Sequence, residues 1–261
     1  MSKLEGKKAV VTGGARGLGR AIVAALDQAG AQVIAIGRDE AHLARLRAET
    51  EGRVRTRAGD IRDPELAETV LRSTAPDIVV LNAGAKPQLA PIYEHTWESF
   101  SAAWDTDVRG TFIWSNLALK LPLASGSTVL ISSSGAAVGG SPLSGGYAGA
   151  KRMQWTMADY LQRESNALKL GIRFHAIIPR SIVAESEIGA AAVAAYAKAA
   201  GVTQEKYLER FGTVVTPLGL ARGIIEILTT PPTDATAYVV LEGRVQPVGA
   251  NLTPAEFGAM R

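Results

Sequence analysis

Seven short segments with the residue types of buried strands punctuate this chain: Lys8–Val11, Val33–Ile36, Val54–Ala58, Ile78–Leu81, Thr128–Ser132, Ile172–Ile178 and Tyr238–Leu241. They read more as continuous apolar runs than as alternating ones, which is the pattern of strands covered on both faces. Longer helical patterns separate them. Between the first two, Leu18, Ala21, Ile22, Ala25, Leu26 and Ala29 recur at helical spacing before Gly30 closes the helix. Asp63-Pro64 supplies an N-cap followed by proline at the first helical position. Repeated strand–helix–strand units predict an α/β fold, a doubly wound, mostly parallel sheet of about seven strands with helices on both faces.

The chain has 261 residues, 47% of them hydrophobic and 20% charged, enough for one substantial core. We expect a single domain over 1–261. The rhythm breaks only between Arg180 and Pro217, where alanine-rich helical stretches, Ile188–Ala200 and Gln204–Phe211, are inserted after a strand end. That is where such sheets receive ligands, so 180–217 reads as a substrate loop; a lid with purely structural duties is the alternative. A net charge of +3 without any run of Lys and Arg argues against nucleic acid as a partner. The absence of cysteine excludes disulfides and thiolate chemistry. His42, His95 and His175 share no metal-ligand spacing, so no metal is expected. The polar start, Met1 to Lys8, and the lack of any long apolar stretch predict neither a signal peptide nor a membrane span, with a cytoplasmic location as the default.

Thr12-Gly13-Gly14-Ala15-Arg16-Gly17-Leu18-Gly19 follows the first strand and opens the first helix. Glycines there permit a tight turn and close approach to a pyrophosphate, while the helix N-terminus offers N–H groups and the positive end of its dipole. The second strand ends at Gly37-Arg38. A carboxylate at this strand end would bind the adenosine ribose diol; instead Arg38, with Arg16 in the glycine turn, could meet a 2′-phosphate, and NADP(H) is favoured over NAD(H).

Tyr147 and Lys151 stand four residues apart, on one face of one helix. A phenol ordinarily titrates near 10, and an ammonium beside it stabilises the phenolate, so the pair is suited to general acid–base work. Ser134, thirteen residues before Tyr147 and just past a strand, could hydrogen-bond a reacting oxygen.

These motifs occur in an order that resembles the short-chain dehydrogenase/reductase family in its compact NAD(P)-dependent form: Thr12-Gly13-x-x-x-Gly17-x-Gly19, Gly59-Asp60-Ile61, Asn82-Ala83-Gly84, Ser134 and Tyr147-x-x-x-Lys151, covering roughly Leu4 to Pro179. The resemblance implies a Rossmann-like fold and several roles. Gly13, Arg16, Gly17, Leu18, Gly19 and Arg38 would hold the phosphates; Asp60 and the Ile61 backbone would meet the adenine. Asn82, Ala83 and Gly84 would steady the central strand beside the ribose, with Pro179 and Ile182 near the nicotinamide. Ser134 would polarise a substrate carbonyl, Tyr147 would donate the proton, and Lys151 would hold the nicotinamide ribose. Ser133 is the fallback for the serine.

Three positions depart from the family pattern. Asp107 replaces the usual Asn, a position that in related enzymes helps hold a proton-relay water, partly through its backbone carbonyl; an altered pH profile is expected. Arg180 follows Pro179 where glycine is usual, and could bind an acidic substrate or point to solvent; Ala184 replaces the usual Thr. The segment Val239–Arg244 lacks the common Asp-Gly-Gly. The expected reaction is hydride transfer between NADP(H) and a small ketone or secondary alcohol, with acyl-carrier-linked 3-oxoacyl reduction and a non-enzymatic dinucleotide sensor as alternatives. Apolar residues on several faces of 100–121 and of the helix from Tyr147 (Trp104, Val108, Phe112, Trp114, Leu117; Met153, Trp155, Met157, Tyr160, Leu161) predict a homodimer or homotetramer built on those helices, or else a deep core position.

Overall fold

The computed structural model describes residues 3–121, 123–231, 233–249 and 251–260. Eight strands form one sheet in the order β3-β2-β1-β4-β5-β6-β7-β8. They are β1 (Lys8–Thr12), β2 (Gln32–Gly37), β3 (Arg55–Ala58), β4 (Ile78–Leu81), β5 (Thr128–Ser132), β6 (Arg173–Pro179), β7 (Ala237–Leu241) and β8 (Arg244–Val248). All neighbours are parallel except β7 and β8. Seven strands coincide with the expected ones to within a residue or so. β8 is additional: its residues are mostly exposed and it carries Pro247, which an edge strand tolerates because one side of its ladder is unpaired. Glu242-Gly243, with Gly243 at φ +85°, turns the chain back to make it.

The helices are α1 (Gly17–Gln28), α2 (Glu40–Glu49), α3 (Pro64–Thr74), α4 (Trp97–Ala103), α5 (Arg109–Lys120), α6 (Ala136–Gly139), α7 (Tyr147–Ala167), α8 (Glu187–Ala200), α9 (Gln204–Glu209), α10 (Pro217–Thr229) and α11 (Pro254–Ala259). Asp63 caps α3 by accepting from Glu65 N at 2.9 Å, and Thr96 with Ser99 forms a reciprocal box at α4. Each face of the sheet carries its own apolar cluster. One gathers Ile22, Leu26, Val80, Leu130 and Ile224 under α1 and α10; the other gathers Val70, Trp114, Trp155, Phe174 and Ile178 under α3, α5 and α7. Trp114 and Trp155 therefore belong to the core, whereas Trp97, Phe112 and Tyr160 are exposed. The apolar residues read on several faces of these helices divide between core positions, such as Trp114 and Trp155, and exposed ones, such as Phe112 and Tyr160.

Strand order reverses between β1 and β4, so the loops at their carboxyl ends diverge and leave a crevice. A five-residue π turn, Trp104–Val108, joins α4 to α5 and turns Asp107 inward.

His175 on β6 is buried, its Nδ1 donating to Ala235 O at 2.8 Å and its ring edge-on to Tyr238 at 5.2 Å. Burial pushes its pKa down to about 4, against the carbonyl's opposing effect. Between about 6.5 and about 4 the unfolded chain takes up this proton and the folded chain does not, so stability is full above that window and falls as pH drops through it. From pH 7 to pH 5 the loss is roughly 2 kcal/mol from this one group. Urea unfolding at the two pH values should show a smaller loss in His175→Asn; an equal loss in both proteins would exclude His175 as the source.

Candidate active site

The glycine turn is built by backbone proximity. Gly13 adopts φ +66°, and a Cβ there would lie 2.8 Å from Ala83 Cα, so a side chain is barred on both counts. A Cβ on Gly19 would collide with the Gly13 carbonyl oxygen. Asn82 fastens the turn from β4: its Nδ2 donates to Thr12 O at 3.3 Å, while Thr12 Oγ1 accepts from the Asn82 and Ala83 N–H groups at 3.0 and 3.2 Å. α1 begins with no side-chain cap and no acid in its first turn, leaving its N–H groups directed at the crevice.

Gly13, Arg16, Gly17, Leu18, Gly19, Arg38, Asp60, Ile61, Asn82, Ala83, Gly84, Ser134, Tyr147, Lys151, Pro179 and Ile182 all border one cavity of about 1170 Å³. Asp107 stands behind its wall, and Ala184 does not border it. Arg38 is exposed at the rim and makes no ion pair among the described residues. Asp60 is gripped by Arg62, which donates from Nε at 3.0 Å and Nη2 at 2.7 Å; these bonds hold the carboxyl at about 2 despite its partial burial. Trp114 Nε1 donates to Ile61 O at 3.1 Å and so anchors the adjoining loop to the core. Arg16 differs from its expected role: Nη1 pairs with Glu187 on α8 at 2.8 Å, and Lys86 Nζ stands 3.7 Å from the same carboxylate.

The serines sort themselves by partner. Ser133 Oγ donates to Lys151 O at 2.8 Å, buried, and ties β5 to α7. Among the described residues, Ser134 Oγ accepts from Ala136 N alone, at 3.2 Å, and borders the cavity. The fallback is thereby committed to structure and Ser134 is the free hydroxyl.

Lys151 is 5% exposed and surrounded by acceptors. Its Nζ donates to Gln154 Oε1 at 2.9 Å and to Ser132 O at 3.2 Å, and forms an ion pair with Asp107 Oδ2 at 2.9 Å that lies outside the angular range of a hydrogen bond. It also stands 5.6 Å from the Tyr147 ring centre. Burial alone would push the ammonium's pKa down; the Asp107 carboxylate, assisted by Tyr147, outweighs it and holds the pKa above the ordinary lysine value. Asp107 Oδ1 accepts from Ala85 N at 2.7 Å, just after the Asn82–Gly84 segment. Gln154 Nε2 completes the network by donating to Thr111 Oγ1 at 2.7 Å and to the Asp107 carbonyl at 3.3 Å. Sequence alone did not single out Gln154, although its spacing of three from Lys151 puts it on the same helix face.

Arg180 is half-buried and borders the cavity, with its guanidinium engaged by backbone carbonyls. Its Nη2 donates to Gly258 O at 2.8 Å, Nε donates to Met260 O at 3.2 Å, and the guanidinium lies 4.9 Å from the Phe257 ring centre. It clamps the C-terminal helix α11 against the cavity, which Phe257 borders beside Gly135. Its contacts come from nearly eighty residues downstream, beyond the reach of local patterning.

With this geometry in place, comparison with known proteins is decisive for the family. The short chain dehydrogenase family model matches residues 7–195. The chain belongs to that family. Among curated relatives it is 36% identical to an L-xylulose reductase of Mesocricetus auratus over 123 residues, 47% of this chain and 50% of that one. It is 33% identical to an L-fucose dehydrogenase of Oryctolagus cuniculus over 189 residues, 69% of this chain and 64% of the relative. The chain thus spans about half the length of the L-xylulose reductases it matches. A solved short chain dehydrogenase/reductase family protein superposes with a TM-score of 0.68 at 22% identity, over 86% of this chain and 90% of the other, which establishes likeness of fold.

The Asp107–Lys151 pair has a consequence in the pH profile. Replacing Asp107 with Asn removes the charge that raises the Lys151 pKa, so the ammonium loses its proton at lower pH and its field on Tyr147 is no longer offset. The kcat/KM profile of Asp107→Asn should move as a whole to lower pH, by roughly one unit. A profile identical to that of the unaltered protein would show that the carboxylate takes no part.

Proposed function

We propose that this chain is an NADP(H)-dependent oxidoreductase that interconverts a ketone and a secondary alcohol, as one NAD(P)-binding domain over 1–261 with 180–217 as its substrate loop. The observation that carries this reading is the convergence on one cavity of a glycine turn at an open helix N-terminus, a free serine hydroxyl and a tyrosine beside a buried ammonium. The names of the relatives, a reductase and a dehydrogenase of sugars, belong to the same reaction class.

The residues present fit a dinucleotide. The Gly13 turn leaves no room for a side chain but admits an extended diphosphate along α1, where N–H groups and dipole favour negative charge. Arg38 is the uncommitted cation at the end of β2 and would meet a 2′-phosphate; Arg16, paired with Glu187, contributes less than the sequence suggests. Asp60 and Ile61 would border the adenine, and Pro179 and Ile182 the nicotinamide end. When bound, the nicotinamide supplies or accepts the hydride. In the reducing direction Ser134 Oγ donates a hydrogen bond to the carbonyl oxygen and Tyr147 delivers the proton to it; in the oxidising direction Tyr147 takes that proton away. Lys151 sets the positive potential behind Tyr147 and holds the ribose hydroxyls, with Asp107 and Gln154 fixing where its ammonium stands.

A panel of ketones and alcohols followed at the NADPH absorbance band tests this. Tyr147→Phe should lower kcat by about 100-fold or more, and equal rates in both proteins would remove the mechanism. Arg38→Asp should reduce the NADPH-over-NADH preference at least about tenfold; an unchanged ratio would refute Arg38 as the phosphate ligand.

We also read the outer faces of α4, α5 and α7, where Trp97, Phe112 and Tyr160 are exposed, as an interface between copies of this chain in a homodimer or homotetramer. Sedimentation should give one of these states, and a monomer at micromolar concentration overturns that part of the reading.

A further inference from the structure

The substrate end of the cavity has a chemistry of its own. α8 and α9 carry a small apolar cluster, with Val193, Ala197 and Tyr207 buried and Tyr196 and Phe211 packed on them. Tyr196 and Tyr207 stack with ring centres 6.0 Å apart and planes 11° apart, and Phe211 meets Tyr207 edge-on at 5.7 Å. The result is an assembled aromatic wall on the same cavity as Ser134 and Tyr147. It is tied in place over them. The Tyr196 hydroxyl bonds Ser141 Oγ at 2.8 Å and accepts from Leu143 N at 3.0 Å, both on the loop that joins Ser134 to Tyr147.

The polar groups around this wall are already paired with one another. Ser141 and Ser144 share a hydrogen bond. Ser181 Oγ accepts from Val215 N at 2.7 Å, and Ser186 Oγ accepts from Gly189 N at 3.0 Å while donating to Val183 O at 2.8 Å. Glu187 is held by Arg16, and Arg180 by the carbonyls of α11. Arg210 lies over Tyr207 and Phe211 at the exposed rim, where water can keep it hydrated. Lys86 also borders the cavity, on the exposed side by Glu187; among the described side chains beside the reacting groups, Ser134 and Tyr147 remain to meet one substrate oxygen. A second, third or fourth hydroxyl carried into this space would lose water without gaining a partner.

We infer that the space between Tyr147 and the aromatic wall receives a largely apolar, ring-bearing ketone or secondary alcohol and discriminates against polyhydroxylated substrates. This rests on the oxidoreductase reading above, and it separates the chain from the sugars in its relatives' names. An aromatic or alicyclic ring offers the flat apolar face that Tyr196, Tyr207 and Phe211 can pack against, and leaves its single oxygen to the catalytic pair.

Steady-state kinetics with NADPH should give acetophenone and cyclohexanone a kcat/KM at least about 100-fold above that of L-xylulose. Phe211→Ala, which trims the wall away from the reacting groups, should raise KM for acetophenone several-fold more than it lowers kcat. A sugar used as well as or better than the ring ketones overturns the inference, as does an acetophenone KM untouched by Phe211→Ala. Calorimetric titration of the full chain with acetophenone and with L-xylulose separates the two readings. If neither class is reduced, preferential binding of acetophenone upholds the pocket chemistry while the oxidoreductase reading fails. Preferential binding of the sugar, or of neither, sinks the pocket chemistry itself.

Discussion

Burying an ammonium is costly unless acceptors replace its lost water, and segments from three parts of the fold converge to meet that demand at Lys151. Its acceptors come from three separate places: the end of β5 at Ser132, the next turn of α7 at Gln154, and the π turn between α4 and α5 at Asp107. Asp107 in turn accepts from Ala85, in the loop that follows the glycine-turn fastener Asn82. One cation therefore couples the cofactor side of the crevice, the central strands and the helix bearing Tyr147. Asp107 is fully buried behind the cavity wall while Lys151 reaches the cavity, so each charge offsets part of the other's lost hydration.

The same arrangement sets the electrostatics of the site. An asparagine at position 107 would leave a net positive charge behind Tyr147; the aspartate offsets it and at the same time keeps Lys151 protonated over a wider range of pH. The carboxylate thus gives up part of the positive potential at this end of the cavity in return for a cation that stays charged, a balance set by this single residue.

Sheet and site differ in how legibly they are written in the sequence. The six inner strands are readable because burial on both faces leaves a local record, a run of apolar residues bounded by turns, and the Asp63 cap likewise declares itself within two residues; β3, an edge strand of sequence Arg-Thr-Arg-Ala, is mostly exposed. β8 leaves no such record, since an exposed edge strand holding Arg244, Gln246 and Pro247 satisfies neither alternation nor continuity. At the site, spacing suffices for Tyr147 and Lys151 because helical geometry fixes their relation, and the glycine turn is legible for the same local reason. Asp107 and Arg180 stand out only as departures. What each does depends on partners forty to eighty residues away, Lys151 in one case and the carbonyls of Gly258 and Met260 in the other, and no local pattern encodes those meetings.

Those two departures act on opposite sides of the cavity. Asp107 stands behind the wall and is joined to the cavity through its ion pair with Lys151. Arg180 works at its mouth: by holding α11 it places Phe257 where a glycine at position 180 would leave the C-terminal segment without its anchor. The Tyr196 tether to Ser141 and the Arg16–Glu187 pair likewise join segments that border the cavity. Several polar residues between 134 and 210 are thus engaged with one another or with backbone groups, and only the fold reveals those pairings, since their partners lie far apart in sequence.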